Sequence, residues 1–526
     1  MPRQRRPNSP FVDRLCAVVA ASTAKEAIKQ LHEACRYTRT IELRLDRLRS
    51  DRERRNFLAA LPRHAGKNLT LLATCRRILG GGKLAGGAEA ELYWLSQACQ
   101  VGCEWCDLEI ETLRELPGQS ARWSPIPPKI LLSYHDFERT PPLPRRLLHA
   151  RSGEADAIKI AARARTISDS LRLLRLAHNS KDIVSVPMGE VGLPARLLAL
   201  RDGSALAYAP VAEATAPGQI GLREFKHLYR ADTITSKTEI YGVAGNPIGH
   251  SLSPLLHNTG FIAAKRNAVF LPFLVERLKE FLDAISEFGL RGLSVTLPHK
   301  QAIMKYLSDC EPMAEKIGAV NTIIVGKNGK LSGSNTDCLG VLRALEKKLR
   351  LRNSRVLIFG AGGSARAAAF ALAIAGCEVL ICARRESVAR ELARACGAQA
   401  IARKHLETAR FEVIVNATPV GMYPHQGTSP LSPRELNCEF VMDLIYRPLR
   451  TQLLRIAAKK GIKVISGVEM FLAQGLAQWE LWTGKSGPQP AIRRAVMAKL
   501  RAEENTSRQE KWQAPLAASM FADFSG

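Results

Sequence analysis

Apolar residues recur along the chain with two different grammars. From residue 11 to 228, short apolar runs return about every 25–30 residues, the length of a strand followed by a helix. They are Leu15–Val19, Thr40–Asp46, Leu69–Arg76, Cys103–Glu111, Lys129–Asp136, Ala155–Ala162, Asp182–Gly189 and Ala205–Val211. Stretches of helical period, such as Ser168–His178, separate most of them. Eight strands alternating with helices predict an α/β fold here, a (β/α)8 TIM barrel over 11–228. The polar stretch 229–238 reads as a linker. A second alternation opens with a strand at Glu239–Gly245 and a helix at Ser253-Pro254, with Ser as N-cap and Pro in the first helical position. At Arg355–Gly360 another strand runs straight into a glycine loop and starts a further α/β unit that lasts to Gly467. The predicted plan is an α/β domain at 239–338, a doubly wound α/β domain of Rossmann type at 339–467, amphipathic helices within 468–504 that close the fold, and a frayed tail at 505–526.

Composition narrows the class. The chain has 526 residues, 46% hydrophobic and 24% charged, enough apolar material for several cores and too much for a disordered protein. No apolar run reaches the roughly 18 residues of a membrane span. No signal-type apolar segment follows the basic start Met1–Pro7, so a cytoplasmic location is expected. Lys+Arg 76 against Asp+Glu 49 leaves a formal charge of +27. The basic residues form no block and are not interleaved with aromatics, which argues against a nucleic-acid partner and leaves small anionic ligands. Twelve cysteines in so long a chain, several inside apolar runs as Cys16, Cys377 and Cys382 are, read as reduced thiols packed in cores.

A barrel keeps its chemistry at the C-terminal ends of its strands. Polar groups there include Glu42-Leu43-Arg44-Leu45-Asp46, Thr74-Cys75-Arg76, Asp107-Leu108-Glu109, Ser133-Tyr134-His135-Asp136, Lys159, Arg196 and Thr215–Gln219. Singly each has a plain explanation: a strand-end histidine is commonly structural, and Glu42 with Arg44 reads equally as an ion pair. Lys159 stands out, because Ile158 and Ile160 flank it and desolvation favours a neutral amine. Such an amine is a nucleophile for a ketone and gives a Schiff base. His135, one strand away, is placed to move a proton beside the iminium, and Glu109 to hold the imidazole by its other nitrogen. Arg44, Arg76 and Arg196 suit an anionic substrate.

Together these motifs resemble type I 3-dehydroquinate dehydratases. The likeness rests on Glu42-Leu43-Arg44-Leu45-Asp46, Asp107-Leu108-Glu109, His135-Asp136-Phe137, Lys159-Ile160 and Ala216-Pro217-Gly218-Gln219. It departs mildly at Leu43, where an aromatic is common, and at Thr215, where Ser is common. The resemblance implies Lys159 as the Schiff-base lysine and His135 as general acid/base assisted by Glu109. It implies Glu42, Arg44, Arg76, Arg196, Thr215 and Gln219 as substrate ligands. The implied step is dehydration of 3-dehydroquinate to 3-dehydroshikimate without metal or redox cofactor.

Cys99-x3-Cys103-x2-Cys106 matches the spacing of an iron–sulfur loop of radical enzymes that also use barrels. Here it runs from a helix end into the fourth strand, on the N-terminal side of Glu109. That is the wrong end of a barrel for chemistry, and buried or incidental thiols are expected.

In the second half, Gly360-Ala361-Gly362-Gly363-Ser364-Ala365 sits between strand Val356–Phe359 and an Ala-rich helix, the context of a dinucleotide fingerprint. The next strand ends at Ala383-Arg384-Arg385, where an NAD site would place Asp or Glu; two arginines suit a 2′-phosphate and favour NADP. Upstream, Ser251 and Ser253 suit a carboxylate, and Lys300 with Asp337 makes a proton donor and its orienting anion. With Ser294–Lys300, Gly318–Thr322, Asn335–Asp337, Asn416–Met422 and Gly467–Gln474, the segment 240–500 closely resembles shikimate dehydrogenase. That resemblance implies Lys300 and Asp337 as the catalytic pair. Ser251, Ser253, Thr296, Asn321, Tyr446 and Gln474 become substrate contacts, and Thr418 and Gly467 cofactor contacts. Ala383 departs from the Asn often found before the clamp arginine. The expected protein is a bifunctional shikimate-pathway enzyme that goes on to reduce 3-dehydroshikimate to shikimate with NADPH. Two alternatives are a quinate enzyme using NAD, which Arg384 and Arg385 oppose, and a ligand sensor, which intact Lys159, His135, Lys300 and Asp337 oppose.

Overall fold

The computed structural model describes residues 10–66, 68–115, 129–142, 155–178, 180–212, 220–423 and 426–520, with side chains to Asn505. Two compact units emerge, one of residues up to Glu239 together with Leu271–Gly289, the other of Ile240–Phe270 with the chain from Leu290 onward.

The first unit is built on eight parallel strands: β1 Leu15–Val19, β2 Thr40–Arg44, β3 Thr70–Thr74, β4 Trp105–Glu109, β5 Lys129–Asp136, β6 Ala157–Arg163, β7 Ile183–Met188 and β8 Ala207–Pro210. Every residue of β3 and β4 is buried, as expected of strands covered on both faces. The ladder runs β7-β6-β5-β4-β3-β2-β1-β8. Among the described residues no ladder joins β7 to β8; that seam is bridged where Ala205 N–H donates to the Ile183 carbonyl at 2.8 Å and Ser185 N–H to Ser204 Oγ at 3.0 Å. Helices are started by local caps: Thr23, Ser50 and Thr166 each accept a backbone N–H from the first turn, and Thr166 forms a full capping box with Asp169. Strand alternation sorts the side chains. Ile158, Ile160 and Ala162 point outward into the packing against Leu173, which leaves Lys159 pointing into the barrel. Tyr229, Ala231 and Ile234, within the stretch expected as a polar linker, are buried.

Two further sheets follow. The first is mixed, in the order β10-β9-β11-β13-β14-β12. Its strands are β9 Glu239–Gly245, β10 Ala268–Leu274, β11 Leu290–Val295, β12 Asp309–Cys310, β13 Thr322–Val325 and β14 Leu331–Ser334. The second contains β15 Arg355–Phe359, β16 Glu378–Cys382, β17 Gln399–Ala400, β18 Phe411–Asn416, β19 Cys438–Asp443 and β20 Lys463–Ile465. It is wholly parallel in the order β17-β16-β15-β18-β19-β20. Counted from its first strand this is 3-2-1-4-5-6, the doubly wound dinucleotide order, which reverses direction between β15 and β18.

Two local expectations are corrected. Helix Ser253–Ala263 has Leu252 as its N-cap and no side-chain cap, so Ser253 is already helical; Ser251 Oγ instead accepts from Ser253 N–H at 3.2 Å. The part of the tail expected to fray that is described, up to Met520, is helical, because helix Gln489–Met520 runs on past the point where the apolar period fades. Its Arg, Glu, Gln and Ala residues are strong helix formers and need no apolar stripe for the helix to continue.

Asn258 ties its helix to β10: its Nδ2 donates to the Phe270 carbonyl at 2.9 Å, and its Oδ1 accepts from Phe270 N–H at 2.8 Å. Both backbone groups are buried, so Asn258→Ala strands them at a cost of about 2–4 kcal/mol. The expected result is thermal unfolding of the second unit at a lower temperature, read by calorimetry, with the transition of the barrel unmoved.

Candidate active sites

Within the barrel a chain of charges crosses from β2 to β6. Lys159 Nζ lies 2.6 Å from Asp107 Oδ2 and 3.3 Å from Glu42 Oε1. Its ammonium sits 4.4 Å over the ring of Tyr208. Thr74 Oγ1 donates to Glu42 at 2.8 Å, and Arg76 reaches Asp107 at 3.2 Å and Glu109 at 3.3 Å. All of these carboxylates are buried. Burial pushes the Asp107 carboxyl up, but Lys159 and Arg76 beside it outweigh that and hold it well below the ordinary carboxylate range. Burial also raises Glu109, only partly opposed by Arg76. The apolar surroundings expected of Lys159 are not found: its isoleucine neighbours face the helices, and its own side chain faces carboxylates.

His135, at the end of β5, stacks on Phe137 with ring centroids 5.9 Å apart. Burial, then the positive charges of Arg76 and Lys159, hold its imidazole well below the ordinary 6.5, so it is neutral at neutral pH. The expected contact with Glu109 is corrected. Glu109 turns instead to Arg76 and, at 3.8 Å, to Arg77, because a buried carboxylate is better matched by two guanidiniums than by a neutral ring. Gly80 makes room for this: a Cβ there would stand 1.8 Å from Glu109 Oε1.

Arg44 does not form the ion pair with Glu42 that its place on the same strand face offered as the plain alternative. Its guanidinium takes Asp46 in two parallel bonds of 2.8 Å and not Glu42, which is thereby left to Lys159. Arg196 is buried and donates to the Pro187 carbonyl at the end of β7, through Nε at 3.1 Å and a terminal nitrogen at 2.9 Å. Thr215 and Gln219 lie outside the described residues. Asp107, though part of the Asp107-Leu108-Glu109 motif, was given no role from the sequence, and Tyr208 was not singled out. Strand alternation was the available signal for Asp107, since it shares the inward face with Glu109 two residues on.

In the second unit, Lys300 Nζ meets Asp337 Oδ2 at 2.5 Å. Asn321 Nδ2 donates to the other Asp337 oxygen at 2.8 Å, and Asn335 Oδ1 accepts from Asp337 N–H at 3.1 Å. Behind them Gln478 Nε2 donates to Ser294 Oγ at 3.0 Å and Thr322 Oγ1 at 3.1 Å, while its Oε1 faces His257 at 3.2 Å. Burial holds His257 down at about 3, a neutral core ring. Gln478 was missed because its partners Ser294, Thr322 and His257 lie far from it in sequence, whereas Asn335 and Thr336 belong to the Asn335–Asp337 motif already read from the sequence. Thr296, at the end of β11, is joined to β9 by its N–H to the Ala244 carbonyl at 3.0 Å. Tyr446 stacks on Phe471, centroids 4.5 Å apart, and Gln474 follows one turn later on helix Gly467–Thr483. That helix packs on the one that Asp337 starts: a Cβ at Gly340 would stand 3.1 Å from Gln474 Cβ.

The turn after β15 fits a dinucleotide. Gly360 has φ of 126°, and a Cβ there would stand 2.9 Å from the Ala417 carbonyl that follows β18, so the backbones at the sheet's switch point close up only around glycine. Gly362 caps the twelve-residue helix Gly363–Ile374, and a Cβ on it would meet nothing within 4 Å, leaving the helix N-terminus open to an anion. Arg384 and Arg385 are exposed at the end of β16. Thr418 is held by Asn416 Oδ1 at 2.7 Å, and Asn416 by buried Asp443 at 3.0 Å; burial raises that carboxyl to about 6. A Cβ at Gly363 would stand 3.6 Å from Lys300 Cδ, so the amine sits at the mouth of this turn. Among the described residues no three His, Cys, Asp or Glu side chains gather as a metal site, and no helix is long and apolar enough to cross a membrane.

Residues 15–236 match the type I 3-dehydroquinase family, 243–323 the shikimate dehydrogenase substrate binding domain, and 467–497 the shikimate 5′-dehydrogenase C-terminal domain. The bifunctional 3-dehydroquinate dehydratase/shikimate dehydrogenase of Arabidopsis thaliana chloroplasts is 31% identical over 500 residues, 90% of this chain and 82% of that protein. The chain belongs to the bifunctional dehydroquinate dehydratase/shikimate dehydrogenase family. Its dehydrogenase half is 39% identical to the NADP(+) shikimate dehydrogenase of Bacillus cereus, over 50% of this chain and 99% of that one. A crystal structure of the Thermus thermophilus shikimate 5-dehydrogenase with NADP(H) and shikimate is 36% identical over 50% of this chain and 99% of that one, with a TM-score of 0.47.

The depressed His135 pKa has a readable sign. The unfolded chain binds the proton near 6.5 and the folded chain only at lower pH, so the barrel loses stability as pH falls below 6.5. An NMR titration of the His135 ring should show it still neutral at pH 6.5; a midpoint at or above that value contradicts the burial argument.

Proposed function

We infer that the chain dehydrates 3-dehydroquinate to 3-dehydroshikimate in its barrel and reduces that product to shikimate with NADPH in its second half. The family relationship over 90% of the chain carries this reading, and both sites hold groups suited to the two steps. Small carboxylated substrates and a phosphorylated cofactor also suit a chain of formal charge +27. All twelve cysteines are free thiols, which fits the reducing cytoplasm as its compartment.

In the barrel, Lys159 is the nucleophile. Its amine, after losing a proton, adds to the substrate ketone, and loss of water gives an iminium. Asp107 and Glu42 are already in place to balance that cation. The iminium acidifies the neighbouring C–H, and neutral His135 takes the proton. The imidazolium returns it to the departing β-hydroxyl, which leaves as water, and hydrolysis of the iminium frees Lys159. Glu109 acts by holding Arg76. Arg196, with Arg44, Arg76, Thr215 and Gln219, makes up the substrate shell.

In the second half the nicotinamide of NADPH, when bound, supplies the hydride. Gly360–Ala365, Arg384, Arg385, Thr418 and Gly467 would hold the cofactor. Lys300 donates a proton to the oxygen that becomes the new hydroxyl, and Asp337, fixed by Asn321, keeps the ammonium aimed. Ser251, Ser253, Thr296, Asn321, Tyr446 and Gln474 bind the carboxylate and hydroxyls of the substrate.

Borohydride in the presence of 3-dehydroquinate should leave a reduced adduct on Lys159 by mass spectrometry, abolishing dehydration while 3-dehydroshikimate reduction continues. Lys300→Ala should do the opposite, lowering reduction by about 10²–10⁴-fold. Labelling at Lys300, or loss of both activities in either case, contradicts the two-site assignment. For the cofactor, loss of one charge-assisted phosphate contact is worth about 1.5–3 kcal/mol, so Arg384→Ala should weaken kcat/KM for NADPH by about 10–150-fold. NADH use should change little; equal losses for both would show that this turn does not read the phosphate.

A further inference from the structure

The cysteine triplet gathers no metal site, yet two of its members meet. Cys99, in the last turn of helix Ala88–Gln100, has its Sγ 3.2 Å from Sγ of Cys106, the second residue of β4. Cys106 is buried and Cys99 partly open to solvent. The contact lowers the Cys99 thiol and raises that of Cys106, which burial raises further. The more exposed sulfur is therefore the better nucleophile, and the buried one lies within contact distance to resolve it. Cys103, between them in sequence, is buried, and burial pushes its thiol well up.

We propose that Cys99 and Cys106 form an oxidisable dithiol, in which a peroxide or a small-molecule disulfide closes a reversible S–S bond that slows the barrel's chemistry. With peroxide, the Cys99 thiolate attacks one oxygen, the O–O bond breaks, and a sulfenic acid forms with release of water. The Cys106 thiol then attacks that sulfur and expels a second water. Two thiols lose two electrons, and one peroxide is reduced to two waters. Exchange with a small-molecule thiol reverses the bond.

Coupling to the site follows from strand geometry. An S–S bond is about 2.05 Å, so the sulfurs must close by about 1 Å. Cys106 precedes Asp107, whose carboxylate holds Lys159 at 2.6 Å on the opposite face of the strand. The same helix grips the far end of β4 through Glu91, which accepts from Glu109 N–H at 3.4 Å, bonds Thr112 Oγ1 and pairs with Arg77 at 3.3 Å. Helix and strand are thus joined at both ends, and a pull at the sulfurs is carried to Asp107. A misplacement of about 1 Å in such a site can cost up to about 10²-fold.

The test treats the full chain with hydrogen peroxide or oxidised glutathione, then maps disulfides by mass spectrometry and assays both activities. The expected result is a loss of about 2 Da in a Cys99–Cys106 linked peptide, absent from Cys99→Ser and Cys106→Ser. Dehydratase kcat should fall at least about threefold in the linked protein and recover with dithiothreitol, with reductase kcat unchanged. Both serine variants should keep normal reduced activity and resist the oxidant. No linkage, or a linkage that persists in Cys99→Ser through Cys103, overturns the site. Linked protein with a smaller change in dehydratase, or with an equal loss of reductase, overturns the coupling. The activity readout rests on the proposed dehydration, whereas the linkage does not, so failure of one is distinguishable from failure of the other.

Discussion

A charge placed inside a barrel has to be matched by other charges, and most of the first unit's polar architecture follows from that. Lys159 loses water when it points inward, and the compensation is Asp107 and Glu42. Those carboxylates require partners in turn: Thr74 for Glu42, Arg76 for Asp107, and Arg76 with Arg77 for Glu109. Removing one member of such a buried set typically costs about 3–5 kcal/mol, because the remaining charge is stranded. The network therefore selects one arrangement of β2, β3, β4 and β6. Burial, reinforced by the positive charges of Arg76 and Lys159, keeps His135 neutral, as a base must be before it accepts a proton.

The second unit handles a similar demand on a smaller scale. Its ammonium has one carboxylate, Asp337, and neutral groups do the rest of the positioning through Asn321, Asn335, Thr336 and Gln478. The amine of Lys300 is less enclosed than that of Lys159, so fewer charges are needed to balance it. In both units the reactive groups sit where side chains from separate elements converge: Lys159, Asp107 and Glu42 on the inward faces of β6, β4 and β2, and Lys300 and Asp337 beyond the ends of β11 and β14. β4 has two functional faces for the same reason. Asp107 and Glu109 look inward, while Cys106 looks outward at the helix that covers it.

The sequence by itself determined a great deal. The period of apolar runs, the polar strand ends and the glycine turn at 360–365 were enough to read a barrel, a doubly wound domain and both lysines, because these depend on local spacing. Motif density over 240–500 carried the expectations for the substrate and cofactor residues in the same way. Tertiary structure decided which charges meet. Nothing in the order of residues says that Glu109 prefers Arg76 and Arg77 to His135, that Arg44 turns to Asp46, or that Asp107 is the nearest partner of Lys159. Those outcomes depend on strand register and on competition among buried charges for the shortest pairing. Tertiary structure likewise decided that, of the three spaced cysteines, Cys99 and Cys106 touch across a helix and a strand. Alternation along a strand tells which face a residue takes, but only packing tells what waits there.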